Sequence, residues 1–395
     1  MPRVLFVQHR THPSGAVRSL AALVKGLSDN WEAHVIMPAG GGVTLLESVG
    51  ATVHVGSVPA FTHTWDTQYR GLRWLVAARE AGWLPAHVRQ LRRLIFELQP
   101  AVVHINEVVM LASGVAAARR GIPVVWHLRS SLPLGGNDRR SRIIVRTIDR
   151  HAAAAVAIDR DVATTYQLRI PLEVIPNPVE IDGGPPARLN APEGRVTIGF
   201  FGYLRRQKGW PEFLDAIREL VDRGSPAHAV VVGGGVRAAE IFRGVRGRLL
   251  EASGIPNEEE AFSRRMAELR LEDHVTWLPF TSNPGSVLRA LDIVVFPNQG
   301  TGLGRPVLEA AAYGKPVVAS GSVDGGGILM PDETGFLIPR GDHHALADAL
   351  DRLVRDDALR VNFGSAALEH ASNFNPNRVA SQVEDVWERA ISAKQ

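Results

Sequence analysis

A glycine-rich turn followed by a helix lies between residues 296 and 319 and carries groups that could bind a diphosphate. A strand ends at Pro297, the turn contains Gly302 and Gly304, and a helix opens near Arg305. The N-terminus of such a helix presents unpaired backbone N–H groups and a positive dipole end, which together favour a bound phosphate. Glu309 follows about one turn later, where its carboxylate can accept hydrogen bonds from a ribose diol. The pattern therefore predicts a nucleotide site at the start of this helix.

A basic turn after another strand, in the segment from Gly199 to Trp210, supplies positive charge. Lys208 precedes a glycine, and Arg205 and Arg206 stand just before it. Cations are needed at such a site because a nucleoside diphosphate gains negative charge as it leaves, and the sequence shows no set of metal ligands to neutralise it. These residues are therefore candidates for stabilising a leaving diphosphate.

Together the two segments resemble the signature of glycosyltransferase family 4, whose members have the GT-B fold. Lys208-Gly209, Gly304, Glu309 and the segment 314–318 match the family in order and spacing. In the family the lysine contacts the diphosphate, and the glutamate matched by Glu309 is associated with the ribose. The resemblance assigns the same roles here.

The chain departs from the family pattern at named positions. Thr301 stands where the family has its first glutamate, which is associated with hydroxyls of the donor sugar, and Leu303 replaces the usual Phe. Tyr203 holds the family's arginine position, so Arg205 and Arg206 are substitutes by proximity. By a loose alignment, Gly327 stands where a further glutamate is frequent.

The first half of the chain has weaker matches. Ser14-Gly15 resembles the family's small loop near donor and acceptor, and His127 matches a histidine near the donor sugar. The segment 175–179 resembles a motif that precedes the linker, and Gly233 to Gly235 resemble a turn near the nucleotide base.

The resemblance implies a retaining transferase that needs no metal or other cofactor. Its donor is a UDP- or GDP-linked sugar, its acceptor is a hydroxyl of a glycan or lipid-linked molecule, and its setting is cell-surface polysaccharide or glycolipid synthesis. The predicted catalytic residues are His127, Arg206, Lys208 and Glu309. The predicted donor-binding residues are Gly15, Gly202, Arg205, Gly233, Gly234, Thr301, Gly302, Leu303, Gly304 and Arg305.

The elements that must position these residues alternate between short Val- and Ile-rich runs and longer segments of helical period. This alternation predicts an α/β fold of two Rossmann-like, doubly wound domains. The strands are predicted at 4–8, 33–37, 53–55, 102–105, 124–127, 155–158, 196–201, 229–232, 275–277, 293–296 and 317–319, and helices include 15–27, 84–98 and 108–119.

The domain boundaries follow from where the alternation breaks. An acceptor-binding domain is predicted at 1–180, a linker rich in turn formers at 181–194, and a nucleotide-sugar domain at 195–374. The last helix has Asn375 as its N-cap and an apolar stripe that includes Trp387, so residues 375–395 are expected to pack back on the first domain.

Composition limits the class of protein. The chain has 395 residues, no cysteine and a formal net charge of +3. The lack of cysteine excludes disulfides and thiolate metal sites, and the net charge is too mild to indicate nucleic-acid binding. The N-terminus is predicted to be a strand and not a signal peptide, and no apolar run is long enough to span a membrane. A cytoplasmic protein is the expectation.

Several alternatives stay open on the sequence. The departures at Thr301, Tyr203 and Gly327 motivate a partner protein that binds a nucleotide-sugar without turnover. A nicotinamide-dependent enzyme would need a fingerprint that is missing after the first strand. The arginines of 89–93 and 139–146 fit either a solvated basic flank or contact with an anionic inner membrane surface. Asp159-Arg-Asp161 and His343-His344 are each interpreted as helix starts and not as metal sites.

Overall fold

The computed structural model describes residues 1–61, 74–132, 138–181, 183–235, 242, 244, 247, 256–279, 281, 283–300, 302–321 and 325–394. The chain divides into two compact units. The first comprises Met1–Val179 and Asn373–Gln395, and the second comprises Glu180–Ser372.

The first unit contains a parallel sheet built from apolar strands with buried residues on both faces. The sheet order is β3-β2-β1-β4-β5-β6-β7. The direction of winding reverses between β1 and β4, and such reversal points are where open α/β sheets bind ligands, outside the carboxyl ends of the strands. The strands are β1 Arg3–Val7, β2 Glu32–Met37, β3 Thr52–Val55, β4 Val102–Ile105, β5 Val124–Leu128, β6 Ala154–Ala157 and β7 Leu172–Val174.

Helices cover both faces of this sheet because alternate strand residues point to opposite sides. Phe6 belongs to a core shared with the first and last helices of the chain, whereas Val7 belongs to a core on the other face. The helices of the first unit are α1 Gly15–Lys25, α2 Gly41–Glu47, α3 Trp74–Leu98, α4 Leu111–Ala118, α5 Arg139–His151, α6 Arg160–Thr164 and, at the end of the chain, α13 Pro376–Ser392.

The last helix, α13, belongs to the first unit. Asn375 caps it, since its side chain accepts a hydrogen bond from the backbone N–H of Arg378 at 3.0 Å. Trp387 is fully buried and makes edge contacts with the rings of Phe6 and Trp31, with centroids 5.7 and 5.0 Å away. The helix therefore fills the core beside β1.

The second unit repeats the architecture. Its sheet has the order β10-β9-β8-β11-β12-β13, with the reversal between β8 and β11. The strands are β8 Val196–Phe201, β9 Ala227–Val232, β10 Val275–Leu278, β11 Ile293–Phe296, β12 Val317–Ser320 and β13 Gly335–Ile338. The helices are α7 Trp210–Asp222, α8 Glu258–Glu268, α9 Pro284–Ala290, α10 Gly304–Ala312, α11 His343–Arg355 and α12 Asp357–Ala371.

The predicted fold class, two Rossmann-like α/β domains, is confirmed. Each predicted strand is present with ends within two residues, and the sequence analysis missed β7 and β13, which are short edge strands. The helix predicted to begin at Leu84 begins at Trp74 and contains Pro85 in its interior. The helix continues through Pro85 because a long helix with buried residues on one side tolerates one lost hydrogen bond.

Candidate functional site

The reversal point of the second sheet brings the two predicted phosphate-binding segments to neighbouring strands. The basic turn follows β8 and the glycine-rich turn follows β11, and these strands pair in parallel, with Val295 level with Phe200. Because parallel strands end at the same edge, both turns lie at the carboxyl edge of the sheet.

The two turns are joined directly through their backbones. Residues Arg206–Lys208 form a short 3-10 turn, and the carbonyl of Gln207 accepts a hydrogen bond from Gln299 N–H at 2.8 Å. Gly209 has φ of +78°, and a Cβ there would lie 1.8 Å from the Pro297 carbonyl oxygen. Only glycine fits this close approach, which fixes the preceding lysine against the end of β11.

Lys208 and the start of α10 share one neighbour, the buried ring of Phe296. The Lys208 ammonium lies 5.0 Å from the centre of that ring. A Cβ placed on Gly304, the first residue of α10, would lie 3.0 Å from Phe296 Cζ. The lysine and the N-terminus of the helix are therefore within the reach of one aromatic side chain.

The ammonium of Lys208 has an unusual electrostatic setting. Burial, followed by the nearby charge of Arg205, lowers the pKa of Lys208 to about 8. Within the part of the chain that the structure describes, no carboxylate forms an ion pair with this lysine. A half-buried cation of this kind is ready to be neutralised by an anion that enters the site.

The glycines of the second turn allow α10 to begin abruptly. Gly302 and Gly304 have φ of +85° and +64°, and the N-cap position, Leu303, provides no side-chain capping bond. The first turn of α10 thus receives no cap from that side chain, and its N–H groups can face an anion.

Leu303, which the sequence analysis predicts to bind the donor, has its side chain in the core. The side chain is fully buried and packs beneath Gly321, where a Cβ would lie 2.9 Å from Leu303 Cδ2. Burial of an apolar residue at the helix start anchors the turn to the core, so only the Leu303 backbone can face a ligand.

Glu309 is paired within its own helix. Arg305 Nε donates to Glu309 Oε1 at 2.6 Å, and both side chains are 16% exposed. The pair is one turn apart, so it holds the carboxylate in a fixed rotamer and leaves its second oxygen to accept from a ligand. The sequence analysis predicted both residues but did not predict that they pair.

The side chains of Arg205 and Arg206 lie in different surroundings. Arg206 is exposed, its guanidinium lies 5.9 Å from the Trp210 ring centre, and it lines a shallow groove beside α8 with Asn257 and Arg264. The charge that lowers the Lys208 pKa belongs to Arg205. The geometry thus favours Arg205 over Arg206 as the second cation of the site.

The predicted donor-binding glycines at 202, 233 and 234 form a close backbone contact. A Cβ on Gly233 would lie 1.9 Å from the Gly202 carbonyl oxygen. Leu204 N–H donates to the Gly234 carbonyl at 3.0 Å, and Trp277 Nε1 donates to the Gly233 carbonyl at 2.8 Å. These glycines join the turns after β8 and β9.

Asn298, which the sequence analysis missed, organises the glycine-rich turn. Its buried side-chain amide donates to the carbonyls of Gly300 and Gly302, each at 3.2 Å, and its backbone carbonyl accepts from Ser320 Oγ at 2.6 Å. An asparagine directly after a strand and before glycines was the signal available in the sequence. Thr301 lies outside the described residues.

In the first unit, the predicted residues lie at the carboxyl edge of the sheet. Gly15 is exposed at the first position of α1, after Ser14, whose hydroxyl has no partner among the described residues. His127 is buried near the end of β5, and its Nδ1 lies 3.1 Å from His104 Nε2. Burial and the positive charge of Arg129 hold the pKa of His127 well below its usual range, so the imidazole is neutral.

The two motifs interpreted as helix starts are helix starts. Asp159 accepts from Val162 N–H at 2.6 Å at the start of α6, and Asp342 accepts from Ala345 N–H at 2.9 Å before His343-His344.

Across the described ranges, no group of three or more His, Asp or Glu side chains could hold a metal ion. Within the same ranges, no helix has the length and hydropathy of a membrane span.

Two family models match the chain. The model described as glycosyl transferases group 1 matches residues 186–370, and the model described as glycosyltransferase family 4 matches residues 13–182.

The chain is also similar to curated proteins. A D-inositol 3-phosphate glycosyltransferase of Corynebacterium jeikeium is 33% identical over 245 residues, which are 57% of this chain and 52% of that protein. A phosphatidyl-myo-inositol mannosyltransferase of Mycobacterium leprae is 31% identical over 225 residues, which are 55% of this chain and 54% of that protein. The chain spans about half the length of the curated relatives it matches.

Among solved structures, Anabaena Alr3699/HepE in complex with UDP and glucose superposes with a TM-score of 0.74 and 21% identity. The superposition covers 98% of this chain and 100% of that chain. At this identity the likeness establishes the shared fold.

Proposed function

The chain belongs to glycosyltransferase family 4, and from this premise we propose that it transfers a sugar from a nucleoside diphosphate donor to a hydroxyl of a glycan or lipid-linked acceptor. The observation that supports the donor site is that the Lys208 ammonium and the N-terminus of α10 both lie next to the ring of Phe296. A lysine ammonium and a row of helix N–H groups are complementary to a diphosphate.

The proposed division of roles follows from what each group can do. Lys208, with the nearby Arg205, stabilises the negative charge on the leaving diphosphate. The backbone N–H groups from Gly304 onward bind phosphate oxygens, and Glu309, held by Arg305, accepts hydrogen bonds from the ribose. The name of the Mycobacterium leprae relative, a mannosyltransferase, supports a hexose in the donor, and the HepE structure, which shares the fold, contains UDP and glucose.

The site proposal is tested by binding of a nucleoside diphosphate to Lys208→Ala. We expect its affinity for UDP or GDP to fall by roughly tenfold or more, since a charge-assisted hydrogen bond contributes about 1.5–3 kcal/mol. Lys315→Ala is the matched control, because Lys315 lies just beyond the other end of α10 and its ammonium donates to the Arg289 carbonyl at 3.2 Å. Calorimetry that finds equal affinities for both variants and the parent would exclude the site.

We further propose that the transfer retains the anomeric configuration and needs no divalent cation. The acceptor oxygen bonds to the anomeric carbon on the face from which the diphosphate departs, the bond from that carbon to the diphosphate oxygen breaks, and the hydroxyl proton passes to a diphosphate oxygen. Lys208 and the α10 N-terminus supply the charge that a metal supplies elsewhere. Proton NMR of a product made in EDTA checks both points; an inverted linkage, or turnover restored only by Mg²⁺, contradicts them.

A second candidate function is nucleotide-sugar binding without turnover. It rests on Thr301 and Tyr203, which occupy positions where the family has a glutamate and an arginine. Calorimetric donor binding without any product, across a panel of acceptors, would favour this function over the transferase.

We also propose that α3 contacts an anionic membrane surface where a lipid-linked acceptor resides. Exposed arginines and exposed apolar side chains recur along α3 at separations near whole helical turns, so they lie on one stripe: Leu75, Arg79, Arg89, Arg93 and Phe96. Phe96 is 70% exposed and Leu75 is 51% exposed. Exposed apolar groups beside arginines are typical of helices that lie on a membrane.

A further inference from the structure

Two adjacent glutamates at the start of α8 reach the two turns that follow β8 and β9. Glu258 and Glu259 are the first two residues of α8, and both side chains are half-buried. The basic turn with Lys208 follows β8, and the glycine turn at 233–235 follows β9. In the sheet, β9 lies next to β8 on the side away from β11, so α8 serves the part of the carboxyl edge that α10 does not.

Glu258 binds the basic turn on both sides of Lys208. Its Oε1 accepts from the backbone N–H of Arg206 at 3.4 Å, and its Oε2 accepts from the indole N–H of Trp210 at 3.3 Å. Both hydrogen bonds are long, so neither is strong alone, but they end on one carboxylate. Because the lysine lies midway between the two donor residues, this carboxylate limits the positions that the lysine can take.

Glu259 binds the glycine turn after β9. Its Oε1 accepts from the backbone N–H of Gly235 at 2.6 Å, and the two residues are 24 positions apart in the chain. A Cβ on Gly234 would lie 2.9 Å from the same oxygen, so glycine at this position leaves room for the carboxylate. The bond is short and has a charged acceptor, which makes it the strongest of the three contacts.

Buried aromatic rings fix the position of α8 one turn after the glutamates. Phe262 is fully buried and makes edge contacts with the rings of Trp210 and Trp277, with centroids 5.6 and 5.1 Å away. Trp210 is the first residue of α7, and Trp277 lies in β10 and donates to the Gly233 carbonyl. A helix packed in this way has little freedom to shift, so its first turn is a fixed support for both turns.

These contacts exceed what α8 needs for its own stability. Asn257 caps the helix, since its side chain accepts from Glu260 N–H at 3.4 Å. Acidic residues suit this helix end because the dipole favours negative charge there, and Glu260 serves that purpose while exposed and bonded to Asn257 Nδ2 at 3.0 Å. Capping and the dipole therefore account for Glu260, but not for the contacts of Glu258 and Glu259 with other elements.

The two turns that the glutamates hold border an open space. Leu204 N–H donates to the Gly234 carbonyl at 3.0 Å, so the turns are in direct contact. A Cβ placed on Gly202, at the start of the basic turn, would have no atom of the described residues within 4 Å. A nucleoside diphosphate is longer than its two phosphates, so part of it extends from the reversal point past a neighbouring strand end, and this space is on the β9 side.

We propose that Glu258 and Glu259 are positioning residues for the donor: Glu258 sets the turn that carries Lys208 against the diphosphate, and Glu259 sets the glycine turn against the nucleoside. The proposal rests on the proposed transferase function for the identity of the donor. Neither glutamate contacts the donor, since a carboxylate facing a diphosphate would repel it. Their oxygens accept from protein N–H groups instead.

The role of Glu259 is tested by calorimetry of the full-length protein with UDP, GDP and inorganic pyrophosphate. Glu259→Ala should bind the nucleotide on the order of tenfold more weakly than the parent and pyrophosphate about equally well, because only the glycine turn is released. Glu259→Gln should restore nucleotide affinity, since its amide oxygen still accepts from Gly235. Glu260→Ala is the matched control, because it removes the same charge from the same helix turn but contacts neither strand-end turn.

The role of Glu258 predicts a different pattern. Glu258→Ala should weaken pyrophosphate and nucleotide by the same factor, about fivefold or more, because the turn that binds the phosphates is released. The pH at which UDP or GDP affinity falls should also rise, since a released Lys208 is more exposed to water, whereas loss of a nearby negative charge alone would lower it. Glu258→Gln keeps one acceptor oxygen and should lie between Glu258→Ala and the parent.

Two results overturn the positioning proposal while the donor site stands. One is that the alanine variants at 258 and 259 bind all three ligands as Glu260→Ala does. The other is that both variants weaken pyrophosphate and nucleotide alike with no change in the pH dependence, which is the result of a general loss of structure. By contrast, a parent that binds neither nucleotide, or Lys208→Ala that binds as the parent does, refutes the donor site itself and this proposal with it.

Discussion

Lys208 belongs to a sequence motif and also has an unusual electrostatic environment. Its ammonium is half-buried, next to the face of Phe296, and without an ion pair among the described residues. Burial disfavours the charged form, and Arg205 disfavours it further, so the pKa falls to about 8. A cation held in this way gains more from an incoming diphosphate than one already paired with a carboxylate.

This pKa predicts that diphosphate affinity depends on pH. Lysine is charged below its pKa, so affinity for UDP or GDP should be highest below pH 8 and should fall as pH rises through about 8. A bound diphosphate stabilises the ammonium, so the pKa in the complex lies higher than in the free protein. Calorimetry from pH 6.5 to 9.5, a range of roughly one and a half units either side of that pKa, checks the trend. Lys208→Ala is the control, and its affinity should not show this pH dependence. A parent affinity that rises through pH 8 would contradict the assignment.

The pairing of Glu309 with Arg305 is not evident from the sequence motif alone. The motif identifies the carboxylate, but only the structure shows that Arg305 occupies one of its oxygens. The pairing makes Arg305 a positioning residue for the proposed contact between Glu309 and the ribose.

At the scale of elements, α10 is the part on which the proposed donor site depends. It begins without a side-chain cap from its N-cap residue, after a turn whose carbonyls are held by Asn298. Gly304 opens the helix in the left-handed region, at φ of +64°, directly against Phe296. The turn and the aromatic ring therefore set the direction of the first N–H groups.

Gly304→Ala should weaken both folding and donor binding. The left-handed backbone alone costs an alanine about 1 kcal/mol, and its Cβ would press on Phe296 Cζ at 3.0 Å. Gly224→Ala is a matched control, since Gly224 has the same φ of +64° with no atom within 4 Å of a Cβ. Thermal unfolding and UDP or GDP calorimetry should show a larger loss of stability for Gly304→Ala, and a loss of affinity for that variant alone. Equal effects of both variants would show that Phe296 plays no part.

At the scale of the whole molecule, two sheets of the same winding carry different residues at their carboxyl edges. The edge of the second unit carries a lysine and a helix N-terminus, which suit a diphosphate. The edge of the first unit carries the buried amide and imidazole side chains of Gln8, Asn106 and His127. One architecture, with different residues after equivalent strands, thus gives two edges of different chemistry.

The basic stripe on α3 predicts binding to membranes that contain anionic lipid. The full-length chain should bind vesicles that contain phosphatidylserine more tightly than neutral vesicles, and salt should weaken the binding. Replacing Arg89 and Arg93 by Glu should reduce the affinity on the order of tenfold or more, since each surface arginine contributes about 1 kcal/mol. Replacing Arg119 and Arg120 by Glu, at the end of α4, changes the net charge equally and is the control. Equal binding by both double variants would refute the assignment to α3.

The sequence by itself determined the fold class and the family signature of the second unit. Strands such as β8 and β11 are continuous apolar runs, and the glycines and charged residues after them are contiguous in the chain, so local pattern was sufficient. Short edge strands such as β7 gave too little periodicity to be predicted.

The tertiary structure alone decided which side chains meet. Lys208 and Gly304 are far apart in sequence and meet on Phe296, and Trp387 reaches His127 through His104 from the other end of the chain. Contacts of this kind depend on sheet order and on which face of a strand a residue occupies. Hydrogen-bond direction, the proton position on a histidine and the depth of burial follow from those contacts, and no local pattern in the sequence encodes them.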